Sequence, residues 1–126
     1  MKRNRKKYMR EYQRKYYRTP DGNRRTKEIQ TKSRRRYRYK LFTEYMEKYG
    51  NICACCGESE RRFLTVAHIN NDGVKHRERV GHSGVISDLK QRGWPKDEGM
   101  ATQCWNCNEA TRFGKECPHK RKKEPC

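Results

Sequence analysis

The chain has 126 residues, of which 31% are hydrophobic and 38% are charged. This size and composition exclude a large hydrophobic core, so we expect a small α+β domain that a structural metal stabilises, with a basic helical appendage. The net charge of +18 indicates a polyanionic partner, which we expect to be DNA, with RNA as an alternative.

The first 50 residues carry most of the positive charge. They contain 19 Lys or Arg against 5 Asp or Glu, together with all eight tyrosines of the chain. Residues 1–18 are predicted to form a basic helix in which Tyr8, Tyr12 and Tyr16 recur every four positions as one stripe. The alternative is a solvated segment that becomes ordered only on contact with a polyanion.

A second helix is predicted from Pro20 to Tyr49. Thr19 can cap it, Pro20 suits the first helical position, and Gly50 with Asn51 ends it. Its first half is polar on every side, whereas residues 37–49 carry an apolar row at i, i+4 spacing. We therefore expect residues 37–49 to pack on the folded domain and place the domain boundary near residue 37.

Residues 1–36, the basic arm, are the predicted nucleic-acid-binding segment. Lys and Arg on such an arm neutralise phosphates and release counterions, which gives affinity without reading a base sequence. The residues of the arm that we expect to contact phosphates are Arg14, Lys15, Arg34, Arg35 and Arg36.

Short elements are predicted beyond residue 51 from β-branched alternation, turn residues and apolar spacing. In chain order they are a strand over 62–69, a turn over 70–73, a charged loop over 75–84, a helix over 83–92, a strand over 99–103 and a helix over 106–113. The first strand leads to His68, and Ser83 is the expected cap of the helix over 83–92.

Two C-x-x-C pairs organise this domain, Cys53 with Cys56 and Cys104 with Cys107. Two thiols at that spacing lie on one tight turn and present both sulfurs to one ion, and Zn²⁺ takes four such ligands at about 2.3 Å. We therefore predict a structural zinc site, with disulfides or unrelated thiols as the alternatives. Cys55 is expected to be a bystander, although it is an alternative ligand to Cys53 or Cys56.

The remaining cysteines lie near the C-terminus. Cys117 and His119 are too few ligands for a second metal, so we expect them to pack as part of the tail, and residues 121–126, with Cys126, form a basic tail. Trp105 lies inside the second C-x-x-C pair and is expected to pack over the zinc site. The chain has no apolar leader and no window of membrane-spanning length, so we expect a cytoplasmic protein with reduced thiols and no membrane partner.

The order of these motifs resembles the HNH endonucleases. The matching features, over roughly residues 52–120, are a C-x-x-C-G pair, a hydrophobic strand that ends in x-His, an N-D-G turn and a Q-C-x-x-C-N sequence that opens a helix. The chain is most similar to the phage-type, recombination endonuclease VII-like members. The resemblance implies a ββα-metal (His-Me finger) core over residues 37–120, metal-dependent hydrolysis of DNA with low sequence specificity, and a homodimer or a phage protein partner.

The resemblance also implies an active site. In such families it is formed by the residue before the strand-end histidine, that histidine, and the residue after the last zinc cysteine, which here are Ala67, His68 and Asn108. His68 would be the general base, because imidazole titrates near neutral pH. Asn108 would offer its amide oxygen to a catalytic Mg²⁺ or Mn²⁺ that is separate from the structural zinc.

Ala67 departs from the family, which usually has an acidic metal ligand at this position. Asp72 can substitute for it, or is simply a turn residue. His76 and Arg77 follow closely and are expected to contact the phosphate or assist the ion. If Ala67 abolishes catalysis, the chain is a non-catalytic zinc module that binds nucleic acid; a third alternative is an accessory protein of a phage packaging or recombination machine.

Overall fold

The structure is a computed structural model that describes residues 4–121. The chain divides into two compact units, Met1–Lys40 and Leu41–Cys126. The predictions for residues 1–3, for Cys126 and for the basic tail beyond Arg121 lie outside the described residues. No described helix is both long enough and apolar enough to cross a membrane.

Residues 5–49 form two helices, as predicted. Helix α1 spans Arg5–Arg18 and helix α2 begins at Pro20 and ends at Tyr49. Thr19 is the predicted cap, because its Oγ1 accepts a hydrogen bond from the Gly22 amide at 3.1 Å and donates to the Tyr16 carbonyl at 2.7 Å. A Cβ at Gly22 would lie 2.1 Å from the Tyr16 carbonyl oxygen, so the tight join between the two helices requires glycine.

The second unit is a small mixed α+β structure with one two-stranded antiparallel sheet. After the end of α2, its helices and strands are a 3₁₀ turn Arg61–Phe63, β1 Leu64–His68, α3 Gly73–Val80, α4 Val85–Gln91, β2 Met100–Cys104, α5 Trp105–Ala110, a 3₁₀ turn Arg112–Gly114 and α6 Pro118–Arg121. The register pairs Leu64 with Cys104 and His68 with Met100. Helix α5 follows β2 directly and packs against both strands.

The predicted loop over 75–84 is wrong for residues 75–80, because helix α3 occupies Gly73–Val80, whereas residues 81–84 are a loop as predicted. Residues 74–80 contain no glycine or proline, and Gly81, with φ 81°, ends the helix. The mostly charged sequence did not reveal this helix, in which His76 is the one buried side chain. Helix α4 lies where the sequence predicts it, but Gly84 precedes it as N-cap and Ser83 does not cap it.

The core lies between the end of α2, the sheet and α4. Tyr45 and Leu89 are fully buried in it, and Cys53 and Cys107 of the C-x-x-C turns are buried beside them. The Tyr45 hydroxyl donates a hydrogen bond to the Ala101 carbonyl of β2 at 2.7 Å. The apolar row predicted over 37–49 packs on the core from Leu41 onward, whereas Tyr37 is exposed.

Candidate functional site

The two C-x-x-C turns are held close to each other by the sheet. In the first turn the Gly57 amide donates to the Cys53 carbonyl at 3.0 Å, and the Ala54 amide donates to Thr102 of β2 at 2.9 Å. The second turn is the end of β2 and the start of α5, where the Cys104 sulfur caps the helix by accepting from the Cys107 amide at 3.4 Å. Strand β2 therefore positions both turns.

The four predicted zinc ligands come together. The sulfurs of Cys53, Cys56, Cys104 and Cys107 all lie within 4.8 Å of one another, and Cys56 and Cys104 are 3.8 Å apart. Four sulfurs about 2.3 Å from one zinc ion are separated by about 3.8 Å along the tetrahedron edges. These cysteines can therefore hold a metal ion such as zinc.

A second group of metal ligands adjoins the first. Cys55, Cys107, Cys117 and His119 also have ligand atoms that all lie within 4.8 Å of one another. Cys55 lies outside the first group, as predicted, but it belongs to this second group. The prediction that Cys117 and His119 are too few ligands for a second metal site is therefore wrong, because four ligand atoms come together. The sequence analysis recognised only Cys117 and His119 for this group. The other two ligands, Cys55 and Cys107, come from the two C-x-x-C turns.

The pKa values of the Cys53 and Cys107 thiols are shifted in opposite directions by burial and by neighbouring groups. Burial raises the pKa of Cys53, but hydrogen bonds from backbone amides, first that of Cys56, outweigh it and lower the pKa to about 6. Burial raises the pKa of Cys107, and the adjacent thiols of Cys104 and Cys56 raise it further. A cation among these sulfurs stabilises every thiolate, because it replaces sulfur–sulfur repulsion with attraction.

Trp105 lies beside two of the cysteines, Cys56 and Cys104, but its side chain is mostly exposed. Its side chain is 62% exposed, on the rim of a surface pocket that Cys56 and His119 also line. The position of Trp105 at the first residue of α5 directs it away from the core, which the neighbouring Cys104 and Cys107 face instead.

A chain of hydrogen bonds links His68 to a carboxylate. Nε2 of His68 lies 3.0 Å from Nδ1 of His76, and Nε2 of His76 lies 2.9 Å from Oδ2 of Asp88. Since a carboxylate only accepts, Nε2 of His76 carries the proton between them. With both rings neutral, Nδ1 of His76 accepts from Nε2–H of His68, and Nδ1 of His68 is left as a free proton acceptor.

Asp88 is held ionised by its surroundings. Burial raises the pKa of its carboxyl group, but hydrogen bonds from Arg92 and His76 outweigh it, so the pKa lies below its ordinary value. Arg92 contacts Asp88 at 2.7 Å and also pairs with Glu98, and Arg79 contacts Asp88 at 3.2 Å. Asp88 was not recognised from sequence, because it lies on α4, 20 residues after His68, which is on β1.

His68 lies at the end of β1 with limited space around its ring. Burial lowers its pKa, Asp72 raises it, and His76 and Arg77 lower it, with a net shift below the ordinary histidine value. A Cβ at position 73 would lie 2.9 Å from Nδ1 of His68. Glycine at the start of α3 thus keeps that nitrogen free of a neighbouring side chain.

An open pocket surrounds His68, His76 and Asp72. The other residues that line it are Lys75, Arg79, Arg92, Glu98 and Met100. Asp72 is exposed and forms no salt bridge with any residue in the described part of the chain. Asn108 lies half-buried on α5 and is not among the residues that line the pocket, so its pairing with His68 stays a prediction.

The predicted phosphate-contacting residues of the basic arm are all exposed. Arg14, Lys15, Arg34, Arg35 and Arg36 form no salt bridge within residues 4–121. Two tyrosines of the predicted stripe, Tyr12 and Tyr16, stack with ring centroids 6.4 Å apart, and Tyr8 is 56% exposed.

No protein-family model, no curated protein and no solved structure matches the chain. The resemblance to HNH endonucleases therefore depends on the quoted motifs alone.

Proposed function

We propose that this protein is a zinc-stabilised, metal-dependent endonuclease of the HNH type that hydrolyses DNA with low sequence specificity. The observation that carries the proposal is the chain from His68 through His76 to Asp88. It leaves Nδ1 of His68 as a proton acceptor in a pocket that is also lined by cationic side chains.

Three elements supply the ββα core in this proposal. Strands β1 and β2 pair antiparallel, and α5 follows β2 and packs against both. Cys53 and Cys56 lie on the turn that is hydrogen-bonded to β2, and Cys104 and Cys107 lie at the end of β2 and in α5. One structural ion bound by all four cysteines would therefore hold the strand to the helix.

His68 acts as the general base. Its Nδ1 accepts a proton from the attacking water, and its lowered pKa keeps the ring neutral at pH 7. His76 and Asp88 fix the orientation of the His68 ring and keep its proton on Nε2. Lys75 and Arg79, which line the same pocket, neutralise negative charge on the phosphate.

Asp72 is the residue that fits a hard divalent cation. Mg²⁺ is commonly bound by one or two carboxylates together with substrate phosphates, and Asp72 is an exposed, unpaired carboxylate beside His68. It takes the place of the acidic ligand that the family has at position 67, where this chain has an alanine that is 1% exposed. When bound, Mg²⁺ or Mn²⁺ supplies charge neutralisation at the phosphate and leaving oxygen.

A plasmid-nicking assay tests the proposal. Purified chain is incubated with supercoiled DNA in Mg²⁺, Mn²⁺ or a chelator, and the nicked form is measured over time. His68→Ala should slow nicking by about 10²- to 10⁴-fold. His82→Ala, at an exposed histidine outside the pocket, should nick at the wild-type rate.

The same assay tests the role of Asp72. Asp72→Asn should raise the Mg²⁺ concentration needed for half-maximal nicking, because a neutral amide binds the cation more weakly. Asp97→Asn removes another exposed carboxylate and should leave that concentration unchanged. Equal metal dependence in both variants would exclude Asp72 as the ligand.

A second candidate function is a non-catalytic zinc module that binds nucleic acid. Ala67 favours it, because a buried methyl group replaces the family's acidic ligand. DNA binding by the wild-type chain in the absence of nicking under every metal would establish this function in place of the first.

A further inference from the structure

We infer that the chain binds two zinc ions that share the thiolate of Cys107. The first ion takes Cys53, Cys56, Cys104 and Cys107, and the second takes Cys55, Cys107, Cys117 and His119. The inference is independent of catalysis, since both ions have four protein ligands and no open position for substrate.

The ligand count fits two tetrahedra that share one corner. Two four-coordinate ions with one common ligand need seven ligands in all, and the two groups together supply six cysteines and one histidine. No ligand is left over, and only Cys107 belongs to both groups. Its sulfur is 0% exposed, at the centre of the ligand set.

The distances within the second group agree with tetrahedral zinc. Nδ1 of His119 lies 3.2 Å from the sulfur of Cys107 and 3.4 Å from that of Cys117. With zinc about 2.3 Å from sulfur and about 2.0 Å from nitrogen, the expected sulfur–nitrogen separation is about 3.5 Å. These two separations are therefore close to those expected around a bound zinc ion.

The charge of the second ion is balanced by the thiolates that form when it binds. It adds two positive charges and converts two further thiols, Cys55 and Cys117, to thiolates, while His119 binds as a neutral imidazole. The thiolate-rich donor set selects a soft or borderline ion such as Zn²⁺ over Mg²⁺.

The second ion also explains how the C-terminal segment is fastened. Cys117 is 1% exposed and belongs to the core, although the residues before it, from Arg112 to Glu116, are exposed. Helix α6 spans only Pro118–Arg121 and is too short to be stable alone. Ligation of Cys117 and His119 joins this short helix to both C-x-x-C turns.

Metal counting tests the inference on the full chain. Reduced protein is washed with a chelator of moderate affinity to remove loosely held metal, and zinc per chain is measured by native mass spectrometry. Two zinc ions per chain are expected. A single ion per chain would mean that the two groups are alternatives, and would overturn the inference.

One variant removes a ligand without disturbing the core. His119 is exposed, so His119→Ala should fold and retain one zinc ion, whereas Cys117→Ser risks unfolding a buried position. His82→Ala removes another exposed histidine and should retain two. Two ions in His119→Ala would contradict the assigned ligand set.

Cadmium substitution tests the shared sulfur. After replacement with ¹¹³Cd, the wild-type chain should give two cadmium resonances, one from a four-sulfur site and one from a three-sulfur, one-nitrogen site. The two should show mutual scalar coupling through the Cys107 sulfur. Two uncoupled resonances, or a single resonance, would exclude the bridge.

Discussion

His76→Phe tests the contribution that we propose the hydrogen-bond chain makes to catalysis. His76 is 8% exposed, and phenylalanine has a ring of similar size, so the change removes both hydrogen bonds while filling the same space. Nε2–H of His68 then loses its acceptor at 3.0 Å. Asp88 keeps its contacts with Arg79 and Arg92, so the rest of the ion-pair cluster is retained.

The expected magnitude follows from the bond that is lost. An orphaned, partly buried donor costs about 1–3 kcal/mol. Removing the partner that orients a metal-ligating histidine typically reduces activity by about 10- to 100-fold, which equals about 1.4–2.7 kcal/mol in the barrier, and we apply the same range to His76 as the partner of His68. The two ranges agree, so we expect His76→Phe to nick about 10- to 100-fold more slowly.

The double variant separates a positioning role from an independent one. If His76 acts only through His68, then His68→Ala with His76→Phe should nick at the rate of His68→Ala alone. Rates should be measured as single-turnover nicking at saturating metal, with thermal unfolding of each variant as a control for folding.

Two results would refute this reasoning. A wild-type rate for His76→Phe would show that the chain does not orient His68. A double variant slower than His68→Ala by the full His76→Phe factor would show that His76 acts on the substrate by itself.

Four further predictions concern pH, salt, packing and metal. Because burial lowers the pKa of His68, the nicking rate should fall with decreasing pH around a midpoint below about 6.5, and a midpoint above that value in a pH–rate profile would contradict the assignment. Replacing the arginine run 34–36 by alanine should flatten the slope of log affinity against log salt by about 2.7, whereas an unchanged slope would remove the run from the interface. Tyr45→Phe should lower the free energy of unfolding by about 0.5–1.5 kcal/mol through loss of a buried hydrogen bond, while Tyr37→Phe, at an exposed site, should leave denaturant unfolding unchanged. Chelation should unfold the second unit, because structural zinc contributes about 10–16 kcal/mol against a total stability of about 5–15 kcal/mol; a surviving cooperative thermal transition would show that the metal is dispensable.

Elements with strong local signals were predictable from sequence. Thr19 before Pro20 marks the start of α2, and Gly50 marks its end, because capping and left-handed backbone depend on neighbouring residues only. The strand that ends at His68 and the four cysteines of the first metal group were found for the same reason. The two thiols of each C-x-x-C pair are three positions apart, so the local turn alone brings them together.

Helix α3 was missed because its apolar face is almost absent. Its one well-buried side chain is His76, which finds its partners on β1 and α4. Helix formation there depends on contacts with other elements, which periodicity does not reveal. The Asp88 contact was missed for the same reason.

Short-range spacing thus accounts for the bounds of α2, the strand that carries His68 and the four cysteines of the first group. Two sets of contacts arise only when the chain folds back on itself. One brings Cys55 to Cys117 and His119, and the other brings His68 to His76 and Asp88. Such contacts join residues that are far apart in sequence, and their geometry follows from how the sheet and helices pack rather than from any local pattern of residues.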